Sequence, residues 1–232
     1  MQKRIPLITL SPVQLSVVES LHTQHYIHRN IKPGNFMVWT DNLPPTVFLI
    51  DLGLARQFHN PATYLHIPFS TNQSIVGTLP FMSINGQQGY MQSCCDNMES
   101  LIYTIIYAAR GDLPWTGSSV HSNHKAVLQM KLLTTIEELC KGLPTFFHNF
   151  ISHVCSLNFD RKLDYQYLHS ILLWVSNSET EIDPPSSVLP PTHSHSLLSA
   201  CSPASPLVHS PASLSLYPSF NAHCAPVFSD KK

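Results

Sequence analysis

Two apolar runs, closed at each end by polar signatures, constrain this chain more than any other feature. Phe36-Met37-Val38-Trp39 and Val47-Phe48-Leu49-Ile50 are short and rich in β-branched and aromatic residues, and Asp41-Asn42-Leu43-Pro44-Pro45 lies between them. Runs of this kind on either side of a turn-forming stretch predict a β-hairpin. Pairing brings Asn35, at the start of the first run, close to Asp51, at the end of the second. The flanks read His28-Arg29-Asn30-Ile31-Lys32-Pro33-Gly34-Asn35 and Asp51-Leu52-Gly53. Carboxylate and amide oxygens suit a hard cation, and an ammonium suits a phosphate. The hairpin therefore carries a site rather than a core.

The rest of the chain reads mainly as helix. Ser11-Pro12 supplies an N-cap and a first-turn proline, and Leu15, Val18, Leu21 and His22 recur at helical spacing, so a helix is predicted from residue 11 that stops before Tyr26. Residues 54–95 show no sustained period and are punctuated by Gly77, Pro80, Gly86 and Gly89, the pattern of a long functional loop. Asp96 is read as the N-cap of a helix over 96–109, ended by Arg110-Gly111. Its Leu101, Ile102, Ile105, Ile106 and Tyr107 cover most of the circumference, and a helix apolar nearly all round is a central one. Further helices are predicted over about 122–133, from Pro144 to about Leu157, and over about 164–175, the last with Tyr165, Leu168, Leu172 and Val175 on one face. From Ser176 onward Pro, Ser and His dominate and periodicity vanishes, so 176–232 is assigned as a disordered tail. The fold class is mainly α with a small β-hairpin, in one domain over 11–175 after an N-terminal remnant, 1–10.

Composition removes several function classes. A formal net charge of −1, with only 12% charged residues, offers no basic field for nucleic acid or an anionic membrane. The 6 cysteines include no Cys-x-x-Cys pair, which favours reduced thiols over a disulfide framework or a zinc site. His121 and His124 have no third ligand nearby in sequence. The first residues lack the apolar run of a signal peptide, and the longest apolar stretch, Leu101 to Ala109, is too short to span a bilayer. The expected location is cytoplasmic or nuclear.

The ordered motifs say more. His28-Arg29-Asn30-Ile31-Lys32-Pro33-Gly34-Asn35 resembles the catalytic loop of protein kinases, and Asp51-Leu52-Gly53 resembles their metal-binding Asp-Phe-Gly. Gly77-Thr78, Ser83-Ile84-Asn85, Asp96-Asn97-Met98-Glu99-Ser100-Leu101, the run Arg110 to Gly117, Cys140-Lys141-Gly142-Leu143-Pro144 and Phe159-Asp160 with Asp164 to Leu168 follow in order. Together they are similar to the casein kinase I family over roughly residues 11–175. The resemblance implies a protein-kinase-like carboxyl lobe lacking the amino-terminal lobe, because nothing in the chain reads Gly-x-Gly-x-x-Gly or offers the strand lysine that kinases pair with a helix glutamate. It also implies ATP and Mg²⁺ as cofactors, here weak or absent, and protein substrates or partners.

Residue by residue, the resemblance puts Asn30 at the position of the catalytic aspartate. An amide accepts a hydrogen bond but does not take up a proton at neutral pH, and general-base catalysis is worth about 10² to 10⁴ in rate. Lys32 matches the lysine that steadies the transferring phosphate. Asn35 and Asp51 match the two metal-holding positions. Met37 and Ile50 match apolar cofactor-binding positions that floor the adenine pocket, with core packing as the other reading. Asp96 is expected to accept backbone N–H bonds from the catalytic loop. Pro80 stands where the family usually has a phosphate-gripping arginine, and Arg29 reads as solvated. The function expected is a casein kinase I-like Ser/Thr kinase domain fragment, catalytically impaired and pseudokinase-like, acting as a protein-binding module. The alternatives are part of a longer ATP-binding Ser/Thr protein kinase, or a decaying gene copy.

Overall fold

The fold is built outward from one helix. The structure, a computed structural model, describes residues 11–39, 46–117 and 123–177. Its helices are α1 (Ser11–Thr23), the short α2 (Ile84–Gln87), α3 (Cys94–Arg110), α4 (His124–Leu133), the short α5 (Ile136–Leu139), α6 (Thr145–Cys155) and α7 (Tyr165–Asn177). The central position expected for α3 is observed. Met98, Leu101, Ile102, Tyr103, Ile105 and Ile106 are all buried, and so are the polar Asp96, Asn97, Glu99 and Thr104. Helix α6, whose Phe147 and Phe150 are fully buried, packs along α3, while α1 lies against α3 and α7. Burying a Leu, Ile or Phe side chain contributes about 1.5–3 kcal/mol, so this helix, apolar on nearly every face, is driven to the middle.

The strands form two small antiparallel ribbons. β1 (Tyr26–Ile27) pairs with β4 (Arg56–Gln57), and β2 (Phe36–Trp39) pairs with β3 (Thr46–Leu49). In the second ribbon Phe36 faces Leu49, Met37 faces Phe48, Val38 faces Val47 and Trp39 faces Thr46. The predicted hairpin therefore forms, with its second strand one residue earlier than the apolar run Val47 to Ile50. Phe36 and Val47 are buried, Leu49 and Val38 pack on the core, and β3 rests on α1.

Two expectations are corrected at this level. Helix α3 begins at Cys94 with Ser93 as its N-cap, not at Asp96. Asp96 is the third residue of the helix, and its carboxylate reaches back to accept the Ser93 N–H at 2.7 Å, closing a capping box. The stretch 54–95 also carries regular structure in β4 and α2, elements too short for a period to reveal. Segment 1–10, the Asp41–Pro45 loop, His121 and the tail from residue 178 lie outside the described residues.

Candidate active site

The loop between β1 and β2 is held by its own histidine. His28 is fully buried. Its Nε2–H donates to the Ile50 carbonyl at 3.0 Å, and its Nδ1 accepts the Asn30 N–H at 3.2 Å. That pair of bonds sets the tautomer, and burial, outweighing the pull of Ile50 and Asp51, lowers the pKa and keeps the ring neutral. One side chain thus ties the loop to the end of the hairpin. Arg29 follows with φ 65°, a left-handed conformation that costs about 1–2 kcal/mol in a residue bearing a Cβ. Its Nε–H donates to the Leu54 carbonyl at 2.6 Å. The residue expected to be solvated is half-buried and bonded, because the loop folds back over the turn after Asp51.

Asn30 sits where these bonds converge. Its Oδ1 accepts the Thr78 hydroxyl at 2.8 Å, and its backbone carbonyl accepts the Asn35 Nδ2–H at 2.8 Å. The remaining side-chain group of Asn30 is Nδ2, which only donates. Asn35 ends a 3₁₀ turn, Pro33–Asn35, is buried, and takes the Ile50 N–H on its own carbonyl at 2.9 Å. The hairpin thus brings Asn35 beside the residue preceding Asp51, as the strand pairing required. With Nδ2 committed to Asn30, the Asn35 amide is oriented and its oxygen faces the other way. Asp51 is exposed, adopts φ 68° and ψ 64°, and heads the 3₁₀ turn Leu52–Leu54. Lys32 is half-buried on extended backbone.

Met37 and Ile50 do not pack in the core. They are 48% and 39% exposed and share the open hairpin face with Trp39, Phe48 and Leu52. The period of two explains it, since Phe36 and Val47 turn to the core and their neighbours turn away.

A buried polar chain fastens the loop to the helices. The Arg29 N–H donates to Asn97 Oδ1 at 3.2 Å. Asn97 Nδ2 donates to His22 Nε2 at 2.9 Å, and His22 Nδ1 bonds the Tyr165 hydroxyl. Burial depresses His22 to about 3, so the ring stays neutral and offers Nδ1–H to the tyrosine. The same burial pushes the Tyr165 phenol up. The bond expected from Asp96 thus falls to Asn97, one residue on, because Asp96 is turned to Ser93 and accepts the Ser83 hydroxyl at 2.7 Å. Asn97 and His22 were visible in the sequence only as a motif member and a helix-face residue.

The segment after Gly77 closes the site. Gly77 has φ 117°, and a Cβ there would stand 2.7 Å from the Arg29 carbonyl oxygen, so only glycine allows the approach. Thr78, next to it, is the residue that engages Asn30. At Pro80, where an arginine was the family expectation, the carbonyl accepts the Trp115 Nε1–H at 2.7 Å. Thr78 and Trp115 entered the sequence reading only as members of the Gly77-Thr78 and Arg110 to Gly117 motifs, with no role at the site given to either.

Chemically, the arrangement offers a half-buried ammonium, an exposed carboxylate and an oriented amide around a loop whose central side chain cannot take up a proton. The carboxylate and the amide oxygen fit Mg²⁺, which takes one or two protein oxygens beside water and phosphate. Among the described residues no group of three His, Cys, Asp or Glu side chains could hold a metal, and no helix is long and apolar enough to cross a membrane. A family model of the protein kinase domain matches residues 12–169.

Proposed function

Because the chain belongs to the protein kinase family, we propose that it is a kinase domain of the casein kinase I type whose phosphate-transfer activity is impaired and whose site serves to bind protein partners. The observation that carries the reading is Asn30. In phosphoryl transfer to a hydroxyl, the attacking oxygen loses its proton to a positioned acceptor. Here the central side chain is an amide whose oxygen already accepts the Thr78 hydroxyl. What remains is an N–H donor and a second lone pair on an amide oxygen, which is far too weak a base to take up the substrate proton.

Asn35 and Asp51 would hold Mg²⁺ with nucleotide phosphates, and Lys32 would meet the transferring phosphate. ATP supplies the phosphoryl group when bound. The residues of this chain bind and orient; they lack the proton acceptor. The predicted measurement is direct. Purified 232-residue chain, incubated with radiolabelled Mg·ATP and casein, transfers no phosphate above background. Transfer that Asp51→Ala abolishes overturns the reading.

One observation favours a second reading, a working site within a longer kinase. The open face of Met37, Trp39, Phe48, Ile50 and Leu52 is 39–54% exposed at each position, and an apolar patch of this kind is ordinarily covered. Further polypeptide over the adenine side would cover it. If Mg·ATP bound tightly to the present chain, with Met37 and Ile50 protected from solvent, the second reading would gain.

A further inference from the structure

In segment 79–84, which follows Thr78, the Phe81 and Met82 N–H groups bond the Thr78 carbonyl, and the Ser83 and Ile84 carbonyls bond N–H groups of Gln87 and Gln88. Three further carbonyls and one N–H are taken by side chains arriving from beneath. Lys131, on α4, donates to the Leu79 carbonyl at 2.8 Å and to the Met82 carbonyl at 2.5 Å. Trp115 takes the carbonyl of Pro80, and Glu99 on α3 accepts the Ile84 N–H at 2.9 Å. Lys131 is 1% exposed, and among the described residues it makes no ion pair. Its ammonium lies 5.3 Å from the ring centroids of both Tyr103 and Trp115, a cation–π seat between two aromatic faces.

A buried lysine without a carboxylate at ion-pair distance is costly to keep. A methionine or leucine would fill the same space at less cost, so the ammonium is there for its hydrogen bonds. Both carbonyls it holds belong to one segment, and that segment begins beside the residue that occupies Asn30. We propose that Lys131 is the positioning residue of the candidate site: by gripping Leu79 and Met82 from below, it seats Thr78 on Asn30 and Gly77 on Arg29. The seating is the same whether or not the site transfers phosphate, and it acts through the backbone, so Lys131 touches no substrate.

The grip is graded by protonation. The charged group facing Lys131 is Glu99, on α3, which pulls its pKa up; burial pulls harder, to about 7. Glu99 itself is pushed up to about 7 by burial and by Asp96, and it bonds the Tyr103 hydroxyl and Ile84 N–H on one oxygen. Opening the segment would return Lys131 to water and its pKa to the ordinary value, so the seated state, in which burial lowers that pKa, gains over the open one as pH rises above about 7. The segment then tightens without any change in the core around α6.

The test is amide hydrogen exchange on the full 232-residue chain, resolved by segment and corrected for intrinsic rates. Lys131→Met keeps the length and apolar body of the side chain and removes the donors. Amides of 79–84 are expected to lose protection by about tenfold to a hundredfold, while those of α6 hold theirs. Equal protection in variant and native chain at 79–84, or an equal loss in α6, would overturn the proposal. The native chain gives an independent reading that needs no variant to fold. Between pH 7 and pH 9, protection of 79–84 is expected to rise relative to α6. A flat or falling ratio across that range would sink the idea that Lys131 does the seating.

Discussion

Replacing Asn97 with alanine is expected to do more damage than any surface change near the site. Asn97 is 1% exposed and His22 4%. The alanine deletes two bonds at once: the acceptor for Arg29 N–H at 3.2 Å and the donor to His22 Nε2 at 2.9 Å. A buried polar group left without its partner costs about 1–3 kcal/mol. Two such groups give about 2–6 kcal/mol, a large share of the roughly 5–15 kcal/mol that holds a domain together. The Arg29 bond matters further because it holds a residue at φ 65°, a conformation the loop would otherwise relax. The assay is urea unfolding followed by far-UV circular dichroism, and in a parallel thermal melt the midpoint is expected to drop by about 4–24 °C. Asn97→Asp is the control. Its carboxylate still accepts Arg29 N–H, and His22 answers by donating from Nε2 while Nδ1 accepts the Tyr165 hydroxyl. That variant is expected to keep most of the stability and to raise the His22 pKa. A loss below about 0.5 kcal/mol for Asn97→Ala, the scale of an ordinary surface substitution, would refute the role given to this chain of bonds.

Three further outcomes follow from the geometry. Gly77→Ala puts a methyl 2.7 Å from the Arg29 carbonyl oxygen at φ 117°, so a loss of about 1–3 kcal/mol is expected in denaturant unfolding. A neutral result there would mean the segment shifts freely. Stability against pH should pass through a minimum near pH 7. Glu99, raised from 4.5 to about 7, contributes stability that is lost as pH climbs through that interval. Lys131, lowered from 10.5 to about 7, contributes stability that is present at high pH and lost as pH falls towards 7. The double variant Glu99→Gln, Lys131→Met should flatten the profile, and a minimum that persists would assign it elsewhere. An apolar dye is expected to bind the hairpin face and to bind less to Met37→Lys with Leu52→Lys, since both residues are about half exposed. Dye fluorescence unchanged by the pair would show that this face is not the one it reads.

Much of the architecture was legible from pattern because it depends on local periods. The circumference of Leu101, Ile102, Ile105 and Ile106 marked the central helix before any coordinates. The β-prone runs at 36–39 and 47–50 around a turn-forming stretch marked a hairpin, and its pairing carried Asn35 to Ile50 and its neighbour Asp51. The helix boundaries moved by a few residues where capping, not periodicity, decided them. Ser93 rather than Asp96 starts α3 because a hydroxyl at the N-cap and a carboxylate at the third position satisfy two orphan N–H groups reciprocally.

The amino-acid order by itself determined the helical class, the central helix, the hairpin and an amide at position 30. Tertiary structure decided everything that depends on which distant groups share a buried space. Asn97 and not Asp96 holds Arg29, Thr78 occupies the Asn30 oxygen, and Lys131 grips a segment from a helix some fifty residues further along the chain. It also decided that Met37 and Ile50 face outward. The physical reason is range. A period or a cap is a relation among residues a few positions apart, whereas a buried hydrogen bond is required by desolvation but paired only by folding. The sequence shows that His22, Asn97 and Lys131 are polar; only the packed core shows that each is obliged to find a partner there, and which one it finds.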